Sequence, residues 1–229
     1  FFLSFLASLS CLSSSYGNPS RLGLPEELEA TLFSSKDLTP CVACLSVAPT
    51  GEVYAGIDQI GSLGKGAGHG RIIRLIDEDQ DGVSDSHTIY AEIDNPRGMI
   101  SVGDKLYVLH TKWADEKNFD GMFLSVLEDK NGDGKADGPP KHLVKEISTR
   151  KYNQSRGVDH TTNGIRMGID GWIYVAVGDF GFVDATGTDG TKLTMYGGGI
   201  IRVRPDGTEL EAFAHGLRNI YDVAIDPYM

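Results

Sequence analysis

The sequence predicts an all-β fold, a β-propeller with four-stranded blades, on three observations. A strand, a tight turn and a second strand ending in a tyrosine recur: CLSVAPTGEVYA at 44–55, GMISVGDKLYV at 98–108, and Ile165 through Asp170-Gly171 to Val175. Each copy is followed by a second hairpin-like stretch, at 71–93, 121–147 and 198–214. Tyr54, Tyr107 and Tyr174 mark equivalent points, and a fourth copy begins at Tyr221. Four strands per repeat of roughly 40–60 residues is the pattern of a propeller blade. A β-sandwich with coincidental turn spacing is the competing reading, but it does not account for the same order of turn types recurring. The expectation is three to four blades of a larger ring.

The 229 residues are 40% apolar, enough for a substantial core. The net charge of −11 and the lack of any basic run argue against a nucleic-acid or anionic-membrane surface. Residues 1–17, FFLSFLASLSCLSSSYG, resemble the apolar and cleavage regions of a secretory signal peptide. The apolar run is too short to span a bilayer. This predicts a fragment of an exported protein, periplasmic or extracellular, with membrane association open. Residues 18–40 form a lead-in, in which Pro25–Glu29 could open a helical turn and Ala30–Phe33 reads as strand. The propeller is expected over 41–229, cut within a blade.

Cys41 and Cys44 have CxxC spacing, but Leu45 follows where c-type haem attachment needs histidine, and there is no second pair for zinc. A local disulfide and two small buried residues both remain open. The glycine-rich run 61–70 fits neither phosphate-loop spacing, so a mobile loop is expected.

Two loops follow the pattern D-x-[DN]-x-D-G-x-x-D: Asp77, Asp79, Asp81 and Asp85, then Asp129, Asn131, Asp133 and Asp137. Oxygens at positions 1, 3 and 5 wrap a hard cation, and glycine at position 6 permits the sharp turn. Thr88 and Pro140 stand where an EF-hand has its bidentate glutamate, so short calcium loops within hairpins are expected.

Asn95–Gly98, Asp159–Gly164 and Leu217–Tyr221 each precede an innermost strand. In a propeller these entrances converge on the channel. That makes Arg97, His160, Asn163, Arg218 and Asn219 a candidate constellation.

The run His160–Asp179, HTTNGIRMGIDGWIYVAVGD, resembles the glucose/sorbosone dehydrogenases, soluble quinoprotein propellers of six blades, and Gly216-Leu217-Arg218-Asn219 resembles a second segment of theirs. The likeness extends to the membrane-bound dehydrogenase propellers of planctomycete-like bacteria. The resemblance implies PQQ and calcium, a sugar or polyol substrate, and a haem domain or cytochrome as electron acceptor. It implies His160 as catalytic base and Arg218 as the residue stabilising charge on the quinone. Asn219, Asn163 and Arg97 would be cofactor contacts. Ile220-Tyr221-Asp222 replaces the family's Pro-Gln-Gly and would bring a carboxylate toward an anionic quinone. Two other classes stay open: a non-catalytic propeller binding carbohydrate or protein, and a calcium-dependent lactonase-type hydrolase.

Overall fold

A computed structural model describes residues 22–226. The signal-like segment, with Cys11, lies outside the described residues. The first blade is β1 (Val42–Val47), β2 (Val53–Asp58), β3 (Gly70–Ile76) and β4 (Ser86–Glu92), antiparallel in chain order. The second is β5 (Asp94–Val102), β6 (Lys105–Trp113), β7 (Phe119–Glu128) and β8 (Lys141–Lys145). A short helix, α1 (Arg150–Arg156), leads into the third blade, which begins with β9 (Thr162–Met167) and β10 (Ile173–Val177). The chain then makes a separate hairpin, β11 (Phe182–Gly187) and β12 (Lys192–Met195), before β13 (Gly198–Val203) and β14 (Glu211–Leu217) complete the blade. β11 pairs with β8 at Thr186↔Lys145 and Gly187↔Val144, which extends the second blade's sheet to six strands. The protein is therefore an all-β propeller with four-stranded blades, three of them among the described residues.

Alternation explains how the blades stack. On β6, Leu106 and Val108 pack toward blade 1 with Tyr54, Ile72 and Tyr90, while Tyr107 and Leu109 pack toward blade 3 with Ile173, Val175 and Ile201. A period-two strand buried on both faces serves two cores at once. The repeated tyrosine has a repeated job. Tyr54 meets Tyr90 edge-on with ring centroids 5.2 Å apart, and Tyr174 meets Phe213 edge-on at the same 5.2 Å. The turns before them carry Gly51, Gly103 and Gly171 at positive φ, which glycine adopts without Cβ strain.

The sequence pattern and the structure part at four places. Ala30–Phe33 forms no strand. It lies against the first Asp loop, where Ser84 N–H donates to the Phe33 carbonyl at 2.9 Å and the Thr31 hydroxyl donates to the Gly82 carbonyl at 2.7 Å. Its strand-like composition serves burial instead, with Phe33 and Leu38 covering Ala55, Ile57, Ile73 and Leu75. No disulfide joins Cys41 and Cys44; Cys41 is exposed, while burial pushes the Cys44 thiol up to about 12. The glycine-rich run is packed rather than free: Val158 N–H donates to the Ser62 carbonyl, Gly68 N–H to Asp94, and Lys65 to the Ser155 carbonyl. The fourth copy, described over 221–226, pairs in no sheet. It nonetheless lies where a next inner strand would: Gly164 N–H donates to the Tyr221 carbonyl at 2.9 Å.

One buried polar chain crosses blade 2. His110 Nδ1 lies 2.7 Å from the Thr111 carbonyl, so that nitrogen carries the proton and Nε2 accepts the Ser125 hydroxyl at 2.8 Å. Ser125 Oγ then accepts from His142 Nδ1 at 2.8 Å. Burial pulls His110 down to about 4 from the usual 6.5. A group whose folded pKa is depressed binds fewer protons than it does unfolded, so its contribution is lost as pH falls. Between about pH 6.5 and 4, stability should drop by up to ~1.4 kcal/mol per pH unit from this residue. A urea midpoint that stays flat across that window contradicts a neutral buried imidazole. At the blade 2–3 seam, a Cβ on Gly98 would sit 2.9 Å from Ile165 N and 3.2 Å from Gly164 Cα. Gly98→Ala should cost about 1–3 kcal/mol, read from the shift in that midpoint at constant slope.

Candidate functional site

His160 lies just before β9, and Gly178 follows β10 directly. The two ends are locked together. Gly178 N–H donates to the Thr161 carbonyl at 3.0 Å and Phe180 N–H to the His160 carbonyl at 3.1 Å. A Cβ on residue 178 would lie 2.3 Å from both the His160 and Thr161 carbonyl oxygens, so only glycine permits this approach. It brings Asp179 onto His160, with Nδ1 2.5 Å from Asp179 Oδ1. An imidazole whose Nδ1–H is held by a carboxylate keeps Nε2 as its basic nitrogen. Nε2 is 3.8 Å from Asp159 Oδ2, too far for a hydrogen bond. Arg218 Nε stands 3.9 Å from the other oxygen of Asp179, and its side chain is 79% exposed. One carboxylate thus holds the imidazole and pairs loosely with the guanidinium.

The remaining predicted residues face inward. Arg97 is buried, 3.7 Å from Asp58, and donates to the Val158 carbonyl at 3.2 Å. Burial lowers its pKa against the pull of Asp58. Asn95, buried and at positive φ, donates to Asp58 and accepts from the Thr111 hydroxyl and the Trp113 indole. Asn163 donates to the Thr161 carbonyl at 3.0 Å and the Ile220 carbonyl at 3.3 Å. Asn219 donates to the Asp159 carbonyl at 3.2 Å, which leaves its carbonyl oxygen as the group it can offer. That oxygen and Asp159 Oδ1 are buried with no hydrogen-bond partner. Tyr221 OH donates to the Ala43 carbonyl of the first blade at 3.2 Å, and Asp222 pairs with Arg166 at 2.5 Å. The structure therefore gathers His160, Arg218 and Asn219, and sets Arg97 and Asn163 behind them as ties between segments.

Sequence reasoning leaves three participants unassigned. Asp179 is visible as part of a Gly-Asp pair after a strand, but its pairing with His160 depends on the β9–β10 register. Asp159 is visible only as a neighbour. Its carboxylate is held by Arg156 of α1 at 3.0 Å. Phe180 carries no signal, and its ring lies over the imidazole with centroids 5.6 Å apart and planes 24° apart.

The two Asp loops lie away from this cluster and share one hydrogen-bond plan. The first aspartate, Asp77 or Asp129, accepts from the N–H groups of positions 5 and 6. Asp81 and Asp133 accept from position 7, and Asp85 and Asp137 from position 2. Ligand oxygens of Asp77, Asp79 and Asp85 lie within 4.8 Å of one another. The second loop also docks on blade 1, where Ala136 N–H donates to the Tyr90 carbonyl at 2.9 Å.

A family model described as a domain of unknown function, DUF7133, matches residues 21–229. The chain belongs to that family. No curated protein matches it. Among solved structures it is similar to a candidate oxidoreductase (glucose dehydrogenase) from Thermus thermophilus, at 17% identity and a TM-score of 0.46, covering 74% of this chain and 46% of that one. A luciferin-regenerating enzyme matches at 14% identity and a TM-score of 0.46, covering 80% and 49%. Hydrazine synthase of Kuenenia stuttgartiensis matches at 16% identity and a TM-score of 0.35, covering 58% and 36%. The DUF7133 chain spans about half the length of the first two structures.

Proposed function

We propose that the protein is an exported dehydrogenase of the quinoprotein type that oxidises a sugar or polyol. The observation that carries this is the Asp179 carboxylate shared between His160 and Arg218. It sets a base with a free Nε2 beside an exposed cation. That pairing suits removal of a hydroxyl proton next to an anionic acceptor.

Two features of this site support PQQ as its ligand. Arg218 is open to an anionic ring system, and Asp222, which replaces a glycine of the resembled family, has its charge balanced by Arg166. When bound, PQQ supplies the carbon that accepts hydride from the substrate C–H bond. The chain's own residues do the rest. His160 Nε2 takes the hydroxyl proton, Asp179 balances the charge on the resulting imidazolium, and Arg218 holds the cofactor's anionic edge. A haem domain or cytochrome is the proposed electron acceptor. His160→Ala should lower dye reduction with PQQ, calcium and a panel of aldoses and polyols by roughly 10²–10⁴-fold, with an unchanged melting temperature. Undiminished turnover in that variant removes His160 from the chemistry.

The Asp loops are proposed as structural calcium sites. Both loops share one hydrogen-bond plan, and in the first the oxygens of Asp77, Asp79 and Asp85 lie close enough together to meet one hard cation. Calcium should raise the melting temperature and chelator should lower it, while Asp77→Asn and Asp129→Asn should each remove part of the rise. A calcium-independent melting curve would overturn the assignment. A hydrolase reading has one observation of its own, the two partnerless acceptor oxygens of Asp159 and Asn219, which a cation on the axis could take. Calorimetry separates the readings: two calciums per chain fit the loops alone, and a third that is lost in Asp159→Asn favours the hydrolase.

A further inference from the structure

We propose that Phe180 is a positioning residue for His160, clamped from behind by the inserted helix α1; this rests on the reading of His160 as the base. Two contacts define the imidazole. Asp179 holds its edge through Nδ1 at 2.5 Å, and Phe180 lies over its face at a 5.6 Å centroid separation. The edge contact alone leaves the ring free to swing about the Nδ1–carboxylate line. An aromatic face 24° from parallel closes that freedom, so Nε2 points one way.

Phe180 is fixed in turn. Its N–H donates to the His160 carbonyl, and the Thr149 hydroxyl, at the start of α1, donates to the Phe180 carbonyl at 2.8 Å and the Gly181 carbonyl at 3.1 Å. Tyr152 of α1 packs on the Phe180 ring with centroids 5.3 Å apart, and the Arg156 guanidinium lies 5.4 Å from its centroid. The connection between blades 1 and 2 is only Ile93, whereas the one between blades 2 and 3 carries the whole helix. The helix therefore has a task beyond joining blades: it presses Phe180 onto the base. The charged groups nearest the imidazole are Asp179, Asp159, Arg156 and Arg218, and Phe180 adds none.

The test compares Phe180→Leu, Phe180→Tyr and Thr149→Val in the full chain. Turnover is measured with PQQ, calcium and sugar, and the hydrogen-bonded Nδ1–H of His160 is followed by ¹⁵N–¹H NMR without cofactor or substrate. Phe180→Leu should lower kcat about tenfold or more with KM nearly unchanged, and should broaden or remove the Nδ1–H signal. Phe180→Tyr, which keeps the ring, should restore both, and Thr149→Val should show a smaller loss in the same direction. A Leu variant with normal kcat and an intact signal overturns the proposal. So does an equal loss in the Leu and Tyr variants, which would mark packing alone. If His160→Ala itself keeps activity, the base assignment fails, and the NMR signal alone then decides whether Phe180 orients the ring.

Discussion

Close backbone approach around the axis is the constraint on which the rest of this structure depends. Gly98 admits Gly164 and Ile165, Gly164 admits Asp222, and Gly178 admits the carbonyls of His160 and Thr161. Each is a point where a single Cβ would push two segments apart. Sheets twist and splay outward from such a line, so the wide, alternating apolar packing of the blades follows once the inner strands are allowed to meet. The site follows as well, since the approach at Gly178 is what turns two strand ends into a histidine–aspartate pair.

The distribution of charge around the axis follows from burial. Arg97 sits within the protein, where a guanidinium is tolerated only with a carboxylate and a carbonyl to meet it. Asp58, Asn95 and Val158 supply or support those partners, and the packed glycine-rich run holds Val158 in place. Arg218 is at the opposite extreme, exposed and only loosely held by Asp179. Two arginines that read alike in sequence therefore differ in place: one ties the inner segments together, and one remains open to solvent.

Much of the fold was legible because it is periodic. The tyrosine after each turn and the glycine within it are local signals that repeat, and repetition separates them from chance. The insertions were not legible. α1 is short, lacks a side-chain N-cap bond and has no apolar stripe, and β11–β12 finds its partner in a blade that precedes it in the chain. Ala30–Phe33 was misleading because aromatic and β-branched residues suit any half-buried extended segment, paired or not. In the site, residue types with obvious chemistry could be named from sequence. Which of them kept free donors could not, because Asn163, Asn219 and Tyr221 spend theirs on carbonyls brought near only by the tertiary fold.

The β11–β12 hairpin belongs to blade 3 by chain order and to blade 2 by hydrogen bonding. A ring of blades joined only by side-chain packing can breathe one blade at a time, as repeat arrays do. Here that independence is removed at one seam. Moving blade 3 away pulls on a hairpin whose backbone bonds lie in the neighbouring sheet, which ties the motions of the two blades together. His160 and Asp179 lie at the ends of β9 and β10, next to that seam.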